Sequence, residues 1–408
     1  MADGSVIERS AKDVLTRLSL RPAASVAIIY IGARLVTTLF LFIAATMAHA
    51  RTGGDETIGS LSMRWDGQWY WVVGVQGYPT ELPRNHDGEV TQNAWAFMPL
   101  YPFLSRVLSF ALGNQYPIAA VVLAIVAGYL SCLVLYHLLR ERIDATSSLW
   151  AVALFAAGPL AALFQMGYAE SLFLLWLFLA LLMLVRRRFA WLYLLIPLMG
   201  FTRPGALAFA LMLGLYGIMR WMRRRADALP VIQIVHIVAL GLLSTAVGFA
   251  WQVIAGIATK DSSAYLETEL AWRRDWTGSE GGFEPFTGFV QATAIWFRVW
   301  GPPEVLGYVT LVAVVLAVAA ILLFEPHVRR LGPEIRLWSA SYAFYLLLVF
   351  FPQSSIFRLL LPLAPLYGAL ALPRSRAWRM GALIVGVALQ WWWIYQMLAL
   401  GTTFAQIP

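Results

Sequence analysis

The sequence predicts an all-α polytopic membrane protein with about 11 transmembrane helices, and three observations lead to this prediction. Hydrophobic residues make up 60% of the 408 residues and charged residues 13%, far below the roughly 25% charged residues of a soluble domain. Apolar runs long enough to cross about 30 Å of hydrocarbon recur from one end of the sequence to the other. Arginine-rich segments alternate with arginine-poor ones throughout. We therefore expect residues 1–408 to form a single integral membrane domain.

The predicted spans follow the apolar runs in order. A break at 202–205 leaves open whether the fifth and sixth spans are two helices or one kinked helix. The spans are 24–50, 116–139, 147–164, 168–185, 189–201, 203–222, 229–256, 304–324, 336–352, 358–373 and 378–400.

The arginine pattern orients these spans. Cytoplasmic loops of membrane proteins carry an excess of Lys and Arg, and a cytoplasmic N-terminus places every basic segment inside. This distribution accounts for much of the net charge of +8, so nucleic acid is not an expected partner. No cleavable signal peptide is visible, and the first apolar run is expected to be an uncleaved anchor in the cell membrane. The basic segments are 1–21, 140–144, 186–188, 220–227, 325–336 and 374–379.

Two long polar loops then fall on the outer face, 51–115 and 257–303. Loops of this length usually carry a function or are disordered, and the tryptophans of the second loop argue against disorder. Within the first loop, residues 97–112 are predicted to form a helix lying in the membrane interface. We expect the first loop to be the catalytic one.

An acid among aromatic residues marks the first outer loop. Asp66 follows Trp65 and precedes Trp69 and Tyr70. Aromatic girdles are common at the membrane interface, but a girdle does not explain the acid. Asp66 can serve as a general base toward an acceptor hydroxyl. The alternative is that Asp66 caps the N-terminus of a helix over 67–78.

Other charged residues lie at span ends or inside a span. Glu170 opens the fourth span at the outer face, where an acid also suits a helix N-terminus. Arg203 and Arg358 lie at outer span ends, and the guanidinium fork suits a phosphate. The alternative for both is that the side chain lifts its charge to the interface. Arg34, inside the first span, is expected to pair with an acid from another helix.

Several kinds of site are absent from the sequence. It contains no phosphate-binding Gly-rich loop, dinucleotide fingerprint, zinc-ligand spacing or nucleophile elbow. Cys132 is the single cysteine, so an intramolecular disulfide is excluded, and the five histidines are scattered. We expect neither a metal nor a cofactor.

Five short motifs follow one another along the chain: Arg64-Trp-Asp-Gly-Gln-Trp-Tyr70, Gln76-Gly-Tyr78, Ala96-Phe-Met-Pro-Leu-Tyr-Pro102, Gly167-Tyr-Ala-Glu-Ser-Leu-Phe173 and Thr202-Arg-Pro-Gly205. Together they resemble the GPI mannosyltransferase 2 family (phosphatidylinositol glycan class V) of the C-type glycosyltransferase superfamily. The resemblance extends over about 24–373 and is strongest over 64–102.

The resemblance implies a C-type glycosyltransferase architecture with interfacial helices in the first outer loop. It also implies an inverting transfer of mannose from a polyprenyl-phosphate donor on the outer face, with Asp66 as the catalytic base and no cofactor. Lysine occurs only at 12 and 260, which indicates a high-GC bacterium. The expected acceptor is thus a cell-envelope lipid or glycan, with membrane lipids as further partners. The expected substrate-binding residues are Arg64, Trp65, Gln68, Trp69, Tyr70, Tyr101, Glu170, Arg203 and Arg358.

Two other functions compete with this interpretation. A transporter or flippase of lipid-linked substrates would place polar residues and broken helices near the bilayer midplane, with repeated halves. No convincing internal repeat is found, and most polar residues lie at the outer rim. A C-type enzyme that uses another polyprenyl-phosphate sugar is also compatible with the sequence, because a few pocket contacts determine sugar identity.

Overall fold

The computed structural model describes residues 22–278 and 282–400, and these residues are overwhelmingly helical. Within those two ranges no strand forms, and an isolated antiparallel bridge joins Arg84 to Val90. The predicted all-α class is confirmed. The predicted cytoplasmic segment 1–21 lies outside the described residues.

The helices begin and end where the sequence supplies the signals. Pro117, Pro326 and Pro333 lie in the first turns of their helices, where the missing N–H of proline is not needed. The helices are α1 Pro22–Thr52, α2 Ile58–Ser62, α3 Asp66–Gln76, α4 Leu100–Ala111, α5 Tyr116–Arg140, α6 Ala145–Ala156, α7 Glu170–Val185, α8 Leu192–Gly200, α9 Ala206–Met222, α10 Val231–Thr259, α11 Ala264–Thr277, α12 Thr287–Trp300, α13 Glu304–Phe324, α14 Pro326–Arg330, α15 Pro333–Val349, α16 Ile356–Leu359, α17 Tyr367–Ala371 and α18 Arg376–Ile394. Short 3₁₀ segments occupy Ala94–Ala96, Ala161–Gln165, Phe189–Trp191 and Leu361–Leu366, and a π turn occupies Tyr395–Ala399.

In the described ranges, five helices are long and apolar enough to cross a membrane: α1, α5, α10, α13 and α18, the last together with the π turn. Five more apolar helical segments are shorter, at 10–17 residues. This composition supports a membrane protein. The count of about 11 spans is not confirmed and stays a prediction, as does the outward placement of 51–115 and 257–303.

Two predicted spans are divided in the structure, and the break at 202–205 separates two helices. The span at 147–164 is α6 followed by a 3₁₀ segment, because Pro159 lies between them. The span at 358–373 is divided into a 3₁₀ segment and two short helices, in a stretch that contains Pro362 and Pro365. The segments 189–201 and 203–222 form separate helices, α8 and α9, which settles the alternative left open by the sequence.

Helix α7 lies in the centre of the described fold. Its side chains are buried on nearly every face, as expected of a helix that is apolar all round. Small residues of α5, including Ala120, Ala124 and Gly128, line a buried face of that helix, and α5 packs against α7. Small side chains at such an interface allow two helices to approach closely. The first residue of α7 is Glu170, so the packing of α7 also positions this acid.

The prediction that Arg34 pairs with an acid from another helix is wrong. The guanidinium donates to the backbone oxygens of Ala156 and Ala161, each at 2.5 Å. It also lies over the rings of Tyr30 and Phe164, at 4.9 and 5.2 Å from their centroids. Ala156 ends α6, where a carbonyl oxygen lacks a helical partner, and Ala161 begins the following 3₁₀ segment. These two oxygens replace the acid. Arg34 therefore braces α1 against the end of α6.

The helix predicted at 97–112 is present as α4, Leu100–Ala111. Its Phe103 and Phe110 side chains are each 62% exposed, while Tyr101, Ser105 and Ser109 are buried. A strongly amphipathic helix with exposed aromatic rings has the character of a helix that lies in a membrane interface.

Candidate functional site

The site begins at a sharp corner between α2 and α3, in the first of the two long loops that are predicted to face outward. Trp65 occupies this corner with φ 57° and ψ −118°, a backbone conformation that is rare for a bulky residue. Such a conformation costs about 1–3 kcal/mol, persists only when surrounding contacts impose it, and is often found at functional sites. The next residue is Asp66, the first residue of α3.

Contacts from distant parts of the chain hold this corner. Arg64 Nη1 donates to the Leu398 carbonyl at 3.0 Å, and Trp65 Nε1 donates to the Met397 carbonyl at 3.4 Å. Both acceptors belong to the π turn, as expected of a helix end that leaves carbonyls open. The Tyr168 hydroxyl donates to the Arg64 carbonyl at 3.0 Å. Arg64 also forms an ion pair with Glu56, so its charge is neutralised by an acid of the same loop.

Four charged side chains meet at the inner side of the corner, and we call them the charge cluster: Asp66, Glu170, Arg203 and Arg358. Arg358 Nη1 lies 2.5 Å from Asp66 Oδ2 and 3.4 Å from Glu170 Oε1. Arg203 Nη1 lies 2.6 Å from the same Glu170 oxygen. Two acids and two arginines balance in charge, as mostly buried ions require. The sequence predicted all four as site residues, and the structure brings them together.

The carboxylate of Asp66 is directed into the cluster and not onto its own helix. No side-chain cap closes the N-terminus of α3, whose N-cap residue is Trp65. The alternative of Asp66 as a helix cap is therefore wrong. The guanidinium of Arg358 also lies over the ring of Tyr168, 5.5 Å from its centroid, and this contact further orients it toward Asp66.

Part of the cluster has unused hydrogen-bonding capacity. Glu170 Oε2 and Arg358 Nε are buried without a hydrogen-bond partner in the described chain. Both residues line a cavity of about 10 Å³ together with Arg203 and Tyr342. A cavity of this volume has room for roughly one water molecule. A phosphate group can therefore reach the arginines only if the cluster rearranges.

The aromatic residues of the predicted site divide into two groups. Trp69 is partly exposed; it stacks on Phe97 at 5.7 Å and meets Trp272 of the second outer loop edge-on at 6.1 Å. Tyr70 and Tyr101 are buried in the core beneath it, and the Tyr101 hydroxyl donates to a backbone carbonyl of α5. Gln68 is exposed on the outer side of α3.

Glu269, on α11 in the second loop that is predicted to face outward, is a further acid near the cluster that the sequence did not single out. It is exposed to solvent, although protein surrounds it densely. Removal from bulk water by this surrounding protein, together with the charge of Asp66, raises the pKa of Glu269 to about 7. Arg203 and Tyr265 act in the opposite direction. The signal in the sequence was an acid one helical turn after an aromatic residue in a polar outer loop.

Metal ligands are not grouped in the part of the chain that the structure describes. Within residues 22–278 and 282–400, no set of three or more His, Cys, Asp or Glu side chains is placed to hold a metal ion. The expectation that neither metal nor cofactor takes part stays a prediction.

Two solved structures from Archaeoglobus fulgidus are similar to this chain. One is the oligosaccharyltransferase in complex with Zn and sulfate: the match covers 90% of this chain and 53% of that one, with 14% identity and a TM-score of 0.44. The other is the oligosaccharyltransferase AglB in complex with an inhibitory peptide and a dolichol-phosphate: 89% and 55% coverage, 12% identity and a TM-score of 0.42. The chain spans about half the length of each. No protein-family model and no curated protein sequence matches the chain.

Similarities at this level establish neither an activity nor a substrate, so the function has to be argued from the site itself. The resemblance of the motifs to GPI mannosyltransferase 2 stays a prediction for the same reason.

Proposed function

We propose that the protein is an integral membrane glycosyltransferase that moves mannose from a polyprenyl-phosphate donor to a cell-envelope lipid or glycan. The observation that carries this proposal is the charge cluster at the strained corner. It combines an acid that can accept a proton with arginines that can bind a phosphate, beside aromatic rings from both outer loops.

The chemistry needs few groups because the donor carries its own leaving group. The acceptor oxygen attacks the anomeric carbon of mannose from the side opposite the phosphate. The bond to the phosphate oxygen breaks, the polyprenyl phosphate leaves as an anion, and the anomeric configuration inverts. Asp66 takes the proton of the acceptor hydroxyl as general base, and Arg358 and Arg203 stabilise the negative charge on the phosphate.

Binding of the donor has a consequence for Asp66 under this proposal. In the structure, Arg358 is held by Asp66 and Glu170, and Arg203 by Glu170. A phosphate that engages Arg358 competes with these carboxylates for the same N–H donors, which releases the Asp66 carboxylate toward the acceptor. The base would thus be freed only when the donor is in place.

The position of the cluster argues against the transporter or flippase alternative. Asp66 and Glu170 are the first residues of their helices, Arg203 lies between α8 and α9, and Arg358 lies on the short α16. Transporter sites lie mostly at the bilayer midplane, between broken membrane-spanning helices. Here all four charges lie in the first long loop or at span ends that are predicted to face outward, away from the midplane.

A donor-dependence assay tests the proposal. The purified protein in detergent or nanodiscs should release polyprenyl phosphate from polyprenyl-phosphate mannose and form a mannosylated product from a cell-envelope lipid extract. A nucleotide-linked mannose should not replace this donor. If no polyprenyl-phosphate hexose is consumed, while vesicles containing the protein move lipid-linked sugars between leaflets, the flippase function holds instead.

A further inference from the structure

Helix α11 of the second outer loop carries a stripe of aromatic and acidic residues. Tyr265, Glu269, Trp272 and Trp276 follow one another at spacings of four, three and four residues, so they lie on one face of the helix. The adjacent positions Ala264, Thr268 and Ala271 are buried. The buried face fixes α11 against the protein, and the stripe lies beside it.

The stripe meets the first outer loop through tryptophan. Trp272 lies 6.1 Å from the ring of Trp69 and 6.1 Å from the ring of Phe97, edge-on to both. Offset and edge-on contacts of this kind are favourable between aromatic rings. Trp69 and Trp272 are both only partly buried, so part of each ring surface is accessible.

The two helices present the same pair of groups toward each other. On α3, Asp66 precedes Trp69 by three residues, and on α11, Glu269 precedes Trp272 by three residues. Residues three apart share one side of a helix. Since the two tryptophan rings lie 6.1 Å apart, the helix faces that carry the two carboxyl groups are adjacent. Their electrostatic coupling, in which the charge of Asp66 acts on Glu269, agrees with this placement.

The two acids differ in the partners of their carboxyl groups. Asp66 is held by the charge of Arg358, whereas Glu269 forms no ion pair within the described residues; it is exposed to solvent, and its side chain interacts with the hydroxyl of Tyr265 on the same helix. A carboxylate has about four lone-pair positions and accepts hydrogen bonds from neighbouring hydroxyl groups. A ring beside it offers an apolar surface for the C–H face of a sugar. A carboxylate and a tryptophan on one helix face thus have the chemistry that a hexose requires.

We propose that Glu269 and Trp272 form the subsite for the hexosyl group of the lipid-linked donor, with Trp69 completing it from the first loop. The inference rests on the proposed function and adds a substrate-binding role for the second outer loop. Glu269 accepts hydrogen bonds from hydroxyls of the sugar, and the exposed part of the Trp272 ring packs on the sugar's apolar face. Asp66 remains the base.

The charge on Glu269 changes near neutral pH. The groups that act on it are Asp66, Arg203, Tyr265 on its own helix and Tyr345. Desolvation by the surrounding protein and the charge of Asp66 raise the pKa of Glu269 to about 7, so the population of the carboxylate form grows as pH rises through 7. Since the carboxylate accepts from the sugar hydroxyls, affinity for the sugar should rise between pH 6 and pH 8.

Two ligands that differ only in the sugar distinguish binding of the hexosyl group from binding of the lipid phosphate. The probes are polyprenyl-phosphate mannose and polyprenyl phosphate, titrated into the purified protein by calorimetry without acceptor. Glu269→Gln should lower the affinity for the mannosylated lipid by about 10-fold to 100-fold, the usual range for a hydrogen bond to a charged group. It should leave the affinity for polyprenyl phosphate unchanged and abolish the rise between pH 6 and pH 8.

Control variants keep the test decisive. Glu267→Gln changes an acid on the same helix that pairs with Arg274, and it should bind both lipids like the parent. If Glu269→Gln does not fold, Glu269→Asp retains a carboxyl group and should show an intermediate affinity that still depends on pH. Trp272→Leu should lower the affinity for the mannosylated lipid and leave the affinity for polyprenyl phosphate unchanged.

Each outcome has a separate meaning. If Glu269→Gln binds both lipids like the parent, the subsite is refuted and the proposed function stands. If the variant binds both lipids more weakly by the same factor, Glu269 affects the folded structure or binding of the phosphate and does not bind the sugar. The subsite is then also refuted. If the parent binds neither lipid, the proposed function fails and this inference fails with it.

Discussion

Asp66→Asn is the variant that most directly tests the candidate site. The change keeps the size of the side chain and removes its ability to accept the acceptor's proton. Loss of a general base typically lowers the rate by about 10²–10⁴-fold, which corresponds to about 3–5 kcal/mol of activation free energy. We expect turnover with polyprenyl-phosphate mannose to fall by this amount.

The structure adds a stability effect that has to be separated from the chemistry. Asp66 and Arg358 form an ion pair whose side chains are 17% and 10% exposed. Removing one partner of a buried pair costs about 3–5 kcal/mol. The neighbouring Glu170 oxygen, 3.4 Å from Arg358, still compensates the guanidinium charge, so we expect a cost at or below the lower end of this range.

A matched ion pair elsewhere provides the control. Arg142 and Glu334 lie 2.8 Å apart with side chains 34% and 10% exposed, and both belong to segments predicted to face the cytoplasm. Glu334→Gln should therefore lower the melting temperature without lowering turnover per folded molecule. Asp66→Asn should lower both quantities. If turnover of folded Asp66→Asn stayed within a fewfold of the parent, Asp66 would not be the base.

Three further predictions follow from the charge cluster, from Glu269 and from the loops. Arg358→Lys keeps the charge but loses the guanidinium fork, so it should raise the KM for the donor, and an unchanged KM would exclude phosphate binding by Arg358. The pKa of Glu269 is raised from 4.5 to about 7, so the folded parent loses stability as pH rises through this interval. The melting temperature of the uncharged Glu269→Gln variant should therefore exceed that of the parent at pH 8 and equal it at pH 4. Equal melting temperatures at pH 8 would contradict this prediction. Cysteines at the exposed Gly54 and Gly282, with Cys132 replaced by Ser, should react with an impermeant thiol reagent in intact cells, whereas protection of both would reverse the orientation.

The sequence predicted much of the helical architecture because each helix follows from local signals. Apolar runs defined the long helices within a few residues, and α13 was predicted with its observed limits, 304–324. The divided spans show the limit of this reasoning, since average hydropathy over 358–373 is high while Pro362 and Pro365 interrupt the helical pattern. A hydropathy window does not weigh a single proline.

The site was only partly predictable for a different reason. Asp66 was identified because its neighbours in the sequence are aromatic and polar. Its partner Arg358 is 292 residues away, and tertiary packing alone determines which charges meet. The buried positions of Tyr70 and Tyr101 are likewise invisible in a motif, because a tyrosine that binds a sugar and one that packs in a core look the same in sequence.

The backbone at Trp65 could not have been predicted from any residue preference. Bulky residues rarely adopt positive φ, and the usual signal for such a turn is glycine. Gly67, two residues further on, does not occupy the turn; it lies inside α3. The strain is imposed by contacts from elsewhere in the fold, which no local pattern reports.

The hydrogen bonds from this corner to the π turn have a consequence for how the protein is made. The carbonyls that hold Arg64 and Trp65 are 334 and 332 residues further along the chain. During synthesis the first outer loop emerges early and must wait, without these acceptors, while the ribosome adds the intervening helices. At about 5–20 residues per second, this interval lasts roughly 20–70 seconds. Nascent chains would thus pass through a period in which Asp66 is present but its loop is not yet held in place, and the complete charge cluster would form only late in synthesis.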